Sequence, residues 1–120
     1  MLAFPQDSLG ILDESQKPRY QKVADLLKFG TPEIAQATGV PKSKVLLTAR
    51  IPPEIADRFV EWAIALNLVA QYFQGDPTKT SYWFTMRNPL LGGLAPRDMI
   101  RVGRFWRLYQ FIVEALAENE

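Results

Sequence analysis

The sequence predicts an all-α fold, and three observations carry that prediction. Apolar residues recur every three or four positions through the longer segments, prolines stand repeatedly just inside sites where a helix would start, and no stretch alternates apolar and polar residues between hairpin turns. A chain of 120 residues, 48% of them hydrophobic, is enough for one compact domain or two tightly joined subdomains.

Residues 1–16 carry Pro5, Gly10 and scattered polar side chains without a sustained period, and are expected to form an arm or a short helix laid on the body. From Pro18 the pattern changes: Tyr20, Val23, Ala24, Leu26 and Leu27 fall at helical spacing, and Phe29-Gly30 supplies a stop. Thr31-Pro32-Glu33 is a helix start, with a Thr oxygen placed to cap free amides, and that helix ends at Gly39. Pro41 is expected to open another short helix through about Arg50, stopped by Ile51-Pro52-Pro53.

Pro53-Glu54 starts a long helix in which Ile55, Phe59, Trp62, Ala63, Leu66, Val69, Ala70 and Phe73 recur, and Gly75-Asp76 ends it. Its apolar stretch from Phe59 to Phe73 is interrupted by Glu61, Asn67 and Gln71, which suits a buried helix better than a membrane span. Asp76-Pro77 opens a helix through about Arg87. Asn88-Pro89-Leu90-Leu91-Gly92-Gly93 then reads as a rigid loop, Pro96 begins a short helix closed by Gly103, and Arg104 to about Glu118 forms the last helix. That helix places Phe105, Leu108, Tyr109, Ile112 and Leu116 on one face.

Composition narrows the function. Lys+Arg 14 against Asp+Glu 13 gives a net charge of +1, so any nucleic-acid binding must come from a local patch. The absence of histidine and cysteine removes imidazole bases, thiolate nucleophiles, disulfides and the usual zinc ligands together. Carboxylate neighbours such as Asp13 and Glu14 lie on polar segments, and Gly92-Gly93 alone does not make a phosphate cradle. The expectation is a protein that is not an enzyme and uses no cofactor or metal. The N-terminus, with Asp7 and no basic stretch ahead of an apolar run, does not read as a secretory signal, and a cytoplasmic location is expected.

Between Thr31 and Arg50, Ala35, Gly39, Val40 and Val45 stand in helix-turn-helix register. Ala35 is small where a second helix would cross, Gly39 suits the tight turn, and Ile34, Val40 and Val45 would fill the space between helices. In a DNA-binding version Lys42, Ser43, Lys44 and Arg50 would reach phosphates and base edges. Thr38 occupies a usually apolar position, and Leu46 and Leu47 fall where a recognition helix shows polar side chains. A helical hairpin that only packs is the competing explanation.

The most distinctive stretch follows: Trp83, then Asn88-Pro89-Leu90-Leu91-Gly92-Gly93, then Ala95-Pro96-Arg97-Asp98-Met99-Ile100, then Gly103-Arg104 and a terminal helix. Alone, Pro89 holds Asn88 extended, the glycines allow backbone angles closed to other residues, and Pro96 pre-forms a helix, which together make a sharp structural turn. Leu90, Leu91 and Leu94 are an unusual concentration of leucine for a loop, and call for a core or a partner to cover them.

In order and spacing this stretch resembles the toxin-binding domain of the Xre/MbcA/ParS antitoxin family, in which a tryptophan precedes Asn-Pro-x-Leu-Gly-Gly and a proline-started helix. The resemblance covers roughly Asp76 to Glu120, and the upstream helix-turn-helix register agrees with that family's layout. It divides the chain into an arm (1–16), a helix-turn-helix-containing region (17–75) and a toxin-binding domain (76–120). It implies the antitoxin of a type II toxin-antitoxin system, which neutralises a cognate RES-domain toxin that depletes NAD, forms a homodimer and represses its own operon. Carried over by position, the toxin-facing residues are Asn88, Leu90, Leu91, Gly92, Gly93, Arg97, Arg104, Glu118, Asn119 and Glu120.

Two departures stand out. Ala95 occupies the place of a capping Thr or Ser, and the chain ends Ala117-Glu118-Asn119-Glu120 where relatives carry a glycine and a short apolar tail. Two alternatives remain, a helix-turn-helix transcriptional regulator without a toxin partner and a helical adaptor with neither role. Trp62, Trp83 and Trp106 are expected in the core, and the basic stripe Arg97, Arg101, Arg104 and Arg107 as a solvated face or a rim for an acidic partner.

Overall fold

A computed structural model describes residues 4–118. Six α-helices are present among them: α1 (Tyr20–Leu27), α2 (Thr31–Thr38), α3 (Pro53–Tyr72), α4 (Pro77–Thr85), α5 (Pro96–Arg101) and α6 (Phe105–Glu118). Single 3-10 turns occur at Lys42–Lys44 and Pro89–Leu91. The strand-like pairing among the described residues is one isolated bridge between Leu12 and Pro18.

α3 is the axis of the fold. From Trp62 to Asn67 every residue is buried, so this helix is covered on all sides rather than on one stripe. Phe59 and Trp62 lie against each other with ring centroids 4.7 Å apart, and Phe29 meets Trp62 edge-on at 5.5 Å. The same apolar cluster takes Val23 and Leu27 of α1, Ile34 of α2, Phe84 of α4, Met99 and Ile100 of α5, and Leu108 and Ile112 of α6. One core is therefore built from both halves of the chain. No helix among the described residues is long and apolar enough to cross a membrane.

Polar tethers fix the outer helices. The Ser81 hydroxyl of α4 donates to the Leu26 carbonyl at 2.7 Å, and Arg97 of α5 donates to the Leu27 and Lys28 carbonyls at 3.3 and 2.8 Å. Those carbonyls lie at the open C-terminal end of α1, where a cation is favoured both by the hydrogen bonds and by the helix dipole. Arg101 pairs with Asp98 at 3.1 Å and donates to Gln36 of α2 at 3.0 Å.

Of the expected arm, residues 1–3 lie outside the described residues, and the part from Phe4 onward is a strap without a helix. Asp7 accepts hydrogen bonds from the Ile11 and Leu12 amides and from the Asn67 side chain, while Asn67 accepts from the Leu9 amide at 3.2 Å. Ile11 is wholly buried. Gly75, at φ +80°, lies beneath this strap: a Cβ there would come within 3.3 Å of the Ser8 carbonyl oxygen. Partial burial pushes the Asp7 carboxyl up, but the bonds from Asn67, Ile11 and Leu12 and the charge of Arg19 outweigh it and hold it below its ordinary 3.8.

One helix start differs from expectation and another agrees with it. α2 is capped at Gly30, whose amide donates to the Glu33 carboxylate at 2.7 Å, so Thr31 lies inside the first turn. α4 starts as anticipated, with Asp76 accepting from the Lys79 amide at 3.1 Å.

The second helix of the helix-turn-helix pattern does not form. Lys42–Lys44 makes one 3-10 turn, after which Val45 turns extended and the chain stays irregular to Pro52. Val45 and Leu47 face the core while Leu46 and Thr48 face outward, which is a period of two rather than 3.6. Ala49 adopts φ 58°, and Ile51 is pushed from helical geometry by Pro52. Thr38, the residue that departed from the pattern, donates to the Ile34 carbonyl and accepts from the Val40 amide, stitching the turn after α2.

Candidate functional site

The bend between α4 and α5 is organised by Asn88. Its backbone is extended, as Pro89 dictates, and its side-chain oxygen accepts from the Leu90 amide at 2.9 Å. Its carbonyl accepts from the amides of Leu91 and Gly93, and its own amide donates to the Leu94 carbonyl at 3.0 Å. Gly92 and Gly93 hold φ of 71° and 83° with open space where a Cβ would stand, so backbone conformation rather than close approach calls for glycine there.

This bend presents leucine to solvent. Leu90 is 78% exposed and Leu94 37%, whereas Leu91 turns inward against the core. Three depressions that share lining residues run along this bend, two of them past Leu90. The middle one, of about 380 Å³, is lined by Tyr72 at the end of α3 and Phe73 just after it, Trp83 of α4, Leu90 of the bend, and Phe111 and Leu116 of α6. A second, also about 380 Å³, shares Phe73, Trp83 and Asn88 with it and is edged by Lys79 and Arg87. The third shares Leu90 and Phe111 and is edged by Arg104, Arg107, Gln110 and Glu114. Tyr82 and Met86 add exposed apolar surface on the α4 side.

The residues singled out in the sequence separate into distinct places. Asn88, Leu90, Gly92 and Arg104 line this surface, with Asn88 used as an internal organiser and Leu91 packed against the core, while Gly93 is exposed on the bend without lining these depressions. Arg97 is engaged by the end of α1 rather than aimed outward. Glu118 ends α6, exposed, and Asn119 and Glu120 lie outside the described residues. Ala95 precedes α5 without a side-chain cap and is itself buried. Of the tryptophans, Trp62 is in the core and Trp83 lines the groove, but Trp106 is 55% exposed, so its expected place in the core is corrected. The basic stripe also divides: Arg97 and Arg101 tether helices, while Arg104 and Arg107 edge the surface.

On the other side of the register, Lys42, Ser43, Lys44 and Arg50 are all exposed, the first three on a single 3-10 turn. No group of three or more acidic side chains able to hold a metal occurs among the described residues. Compared with known proteins, the sequence matches no family model and no curated protein.

Proposed function

We propose that the chain is an interaction protein of the antitoxin type, whose carboxy-terminal half binds and neutralises a RES-domain toxin that degrades NAD. The observation that carries this is Leu90: a large apolar side chain held 78% exposed on a hydrogen-bonded bend, beside an apolar groove. Exposed leucine on a preformed support loses little conformational freedom on docking and gains most of the burial of its side chain. The order of Trp83, the Asn88–Gly93 bend and the Pro96 helix supports the choice of partner, through its resemblance to antitoxins.

The direct test is coexpression with a RES-domain protein encoded beside it. The expected result is growth rescue and copurification with wild type, both lost in Leu90→Asp. Continued toxicity with no copurification would overturn the assignment.

Operator binding is the second activity of this proposal, and it rests on the exposed trio Lys42, Ser43 and Lys44. Without a continuous helix after Lys44, these residues suit phosphate contact better than base reading. The expected result is a gel shift on the operon's own promoter that weakens with salt and with Lys44→Glu. An unshifted promoter at low salt would leave DNA out of the function, and retention by a carboxy-terminal deletion would favour a regulator without a toxin partner. A homodimer completes the proposal and is read by light scattering.

A further inference from the structure

The surface beside Leu90 has a charge pattern that specifies its occupant further, on the premise that this surface is where the partner docks. Its middle is apolar, formed by Phe73, Trp83, Leu90 and Phe111. Its two ends are cationic: Lys79 and Arg87 edge one depression, Arg104 and Arg107 the other. None of these four cations forms an ion pair among the described residues, where the pairs are Arg58–Glu61 and Arg101–Asp98. Glu114, beside the arginines, is engaged by the Gln110 amide at 3.1 Å.

The same half of the chain does pair its other arginines, since Arg97 and Arg101 are consumed by carbonyls, Gln36 and Asp98. Within the carboxy-terminal half, the cations with neither an ion pair nor a carbonyl partner among the described residues are therefore Lys79, Arg87, Arg104 and Arg107, and all four edge this groove. Carboxylates arriving from a partner would meet complementary charge and free hydrogen-bond donors at both ends of the groove.

We infer that the groove takes an acidic amphipathic helix of the partner protein, with apolar side chains over Trp83 and Leu90 and carboxylates reaching the cations at both ends. A helix is the fitting element because the groove lies between helices α3, α4 and α6, and no paired strand among the described residues offers an edge for augmentation. An apolar edge repeating at i, i+4 and i+7 fills the middle, and acidic residues a turn beyond each end meet the lysine and the arginines.

The test needs no knowledge of the natural partner. A display library of helical peptides of about four turns is selected on the whole protein and counter-selected on Leu90→Asp and, separately, on Arg87→Glu. Enriched peptides are expected to carry net negative charge at both ends of an apolar i, i+4, i+7 stripe. A synthetic copy of the strongest is expected to bind at least about ten-fold more weakly to Arg87→Glu or Arg104→Glu, and more weakly at high salt than at low. Circular dichroism checks that the variants remain folded.

Enrichment of basic or neutral peptides, or none beyond that seen on the variants, overturns the inference. So does light scattering that shows a wild-type dimer made monomeric by Leu90→Asp, because the groove would then belong to a second copy. If the acidic peptides are selected but RES-domain coexpression fails, the toxin assignment falls while the groove's chemistry stands; the converse result removes the acidic helix alone.

Discussion

Truncating Leu90 to alanine separates binding from folding. Full burial of a leucine side chain contributes about 1.5–3 kcal/mol. With 78% of Leu90 exposed, most of that, roughly 1.2–2.3 kcal/mol, is still to be gained on docking and little is used by the fold. Alanine keeps one methyl group, so the affinity for the proposed partner is expected to fall by about five- to thirty-fold. The melting temperature should stay within about 3 °C of wild type, because under about 0.7 kcal/mol of burial is lost. Leu108→Ala is the contrasting control: Leu108 is wholly buried, and its truncation is expected to cost about 2–5 kcal/mol of stability. Calorimetric titration gives the affinity and thermal denaturation the stability. Undiminished affinity in Leu90→Ala, or a melting temperature lowered as far as in Leu108→Ala, would refute the reasoning.

Asn67→Leu leaves the Leu9 amide without its acceptor and Asp7 without one of its donors, and is expected to cost about 2–4 kcal/mol in urea denaturation. Because the Asp7 carboxyl is held below 3.8 when folded, its contribution is complete above that pH and is lost as the pH falls through the lower folded value; Asp7→Asn should flatten the acid limb of a stability-pH curve there. Gly92→Ala meets open space but a φ of 71°, so a loss of about 1 kcal/mol without gross unfolding is expected by thermal melting. Arg97→Ala should lower stability by about 1–2 kcal/mol while Arg87→Ala leaves it unchanged, since the first guanidinium holds the end of α1 and the second forms no ion pair among the described residues.

Much of the helical order was legible because its signals are local. Asp76-Pro77 states a cap and a first-turn proline within two residues, and the recurrence from Ile55 to Phe73 spans enough turns to leave no competing period. Lys42 to Arg50 misled because the helix-turn-helix register samples only four positions and ignores what lies between them. Val45-Leu46-Leu47-Thr48 places apolar and β-branched residues on successive positions, which serves an extended chain that buries alternate side chains as readily as a helix. Tertiary contact decided it, with Val45 and Leu47 reaching the core without a helical turn. The amino-terminal segment was legible as an arm on the body, but its anchor was not. That anchor is a single polar residue, Asn67, on a helix that the sequence marks as apolar, and its partner Asp7 lies 60 residues away. A buried asparagine in an otherwise apolar run is a signal that something must satisfy it, but the sequence does not say what.

The candidate site was legible in its backbone and not in its side-chain directions. Asn88-Pro89 and Gly92-Gly93 specify a bend through φ restrictions that belong to those residues alone, and the bend is there. Which leucine faces out depends on how the bend is carried by α4 and α5, and that is settled at a distance. Ser81 on Leu26 and Arg97 on the end of α1 anchor the two helices to the same neighbour, and the 3-10 turn between them sends Leu91 inward and Leu90 outward. An arginine read from spacing as part of a basic face thus acts one step earlier, orienting the surface instead of lining it. The consequence is testable in combination. Loss of the Arg97 tether should weaken partner binding through the tilt of the bend, so its effect on affinity should shrink when Leu90 is already alanine, whereas Arg87→Glu and Leu90→Ala, acting at separate parts of one groove, should come closer to adding.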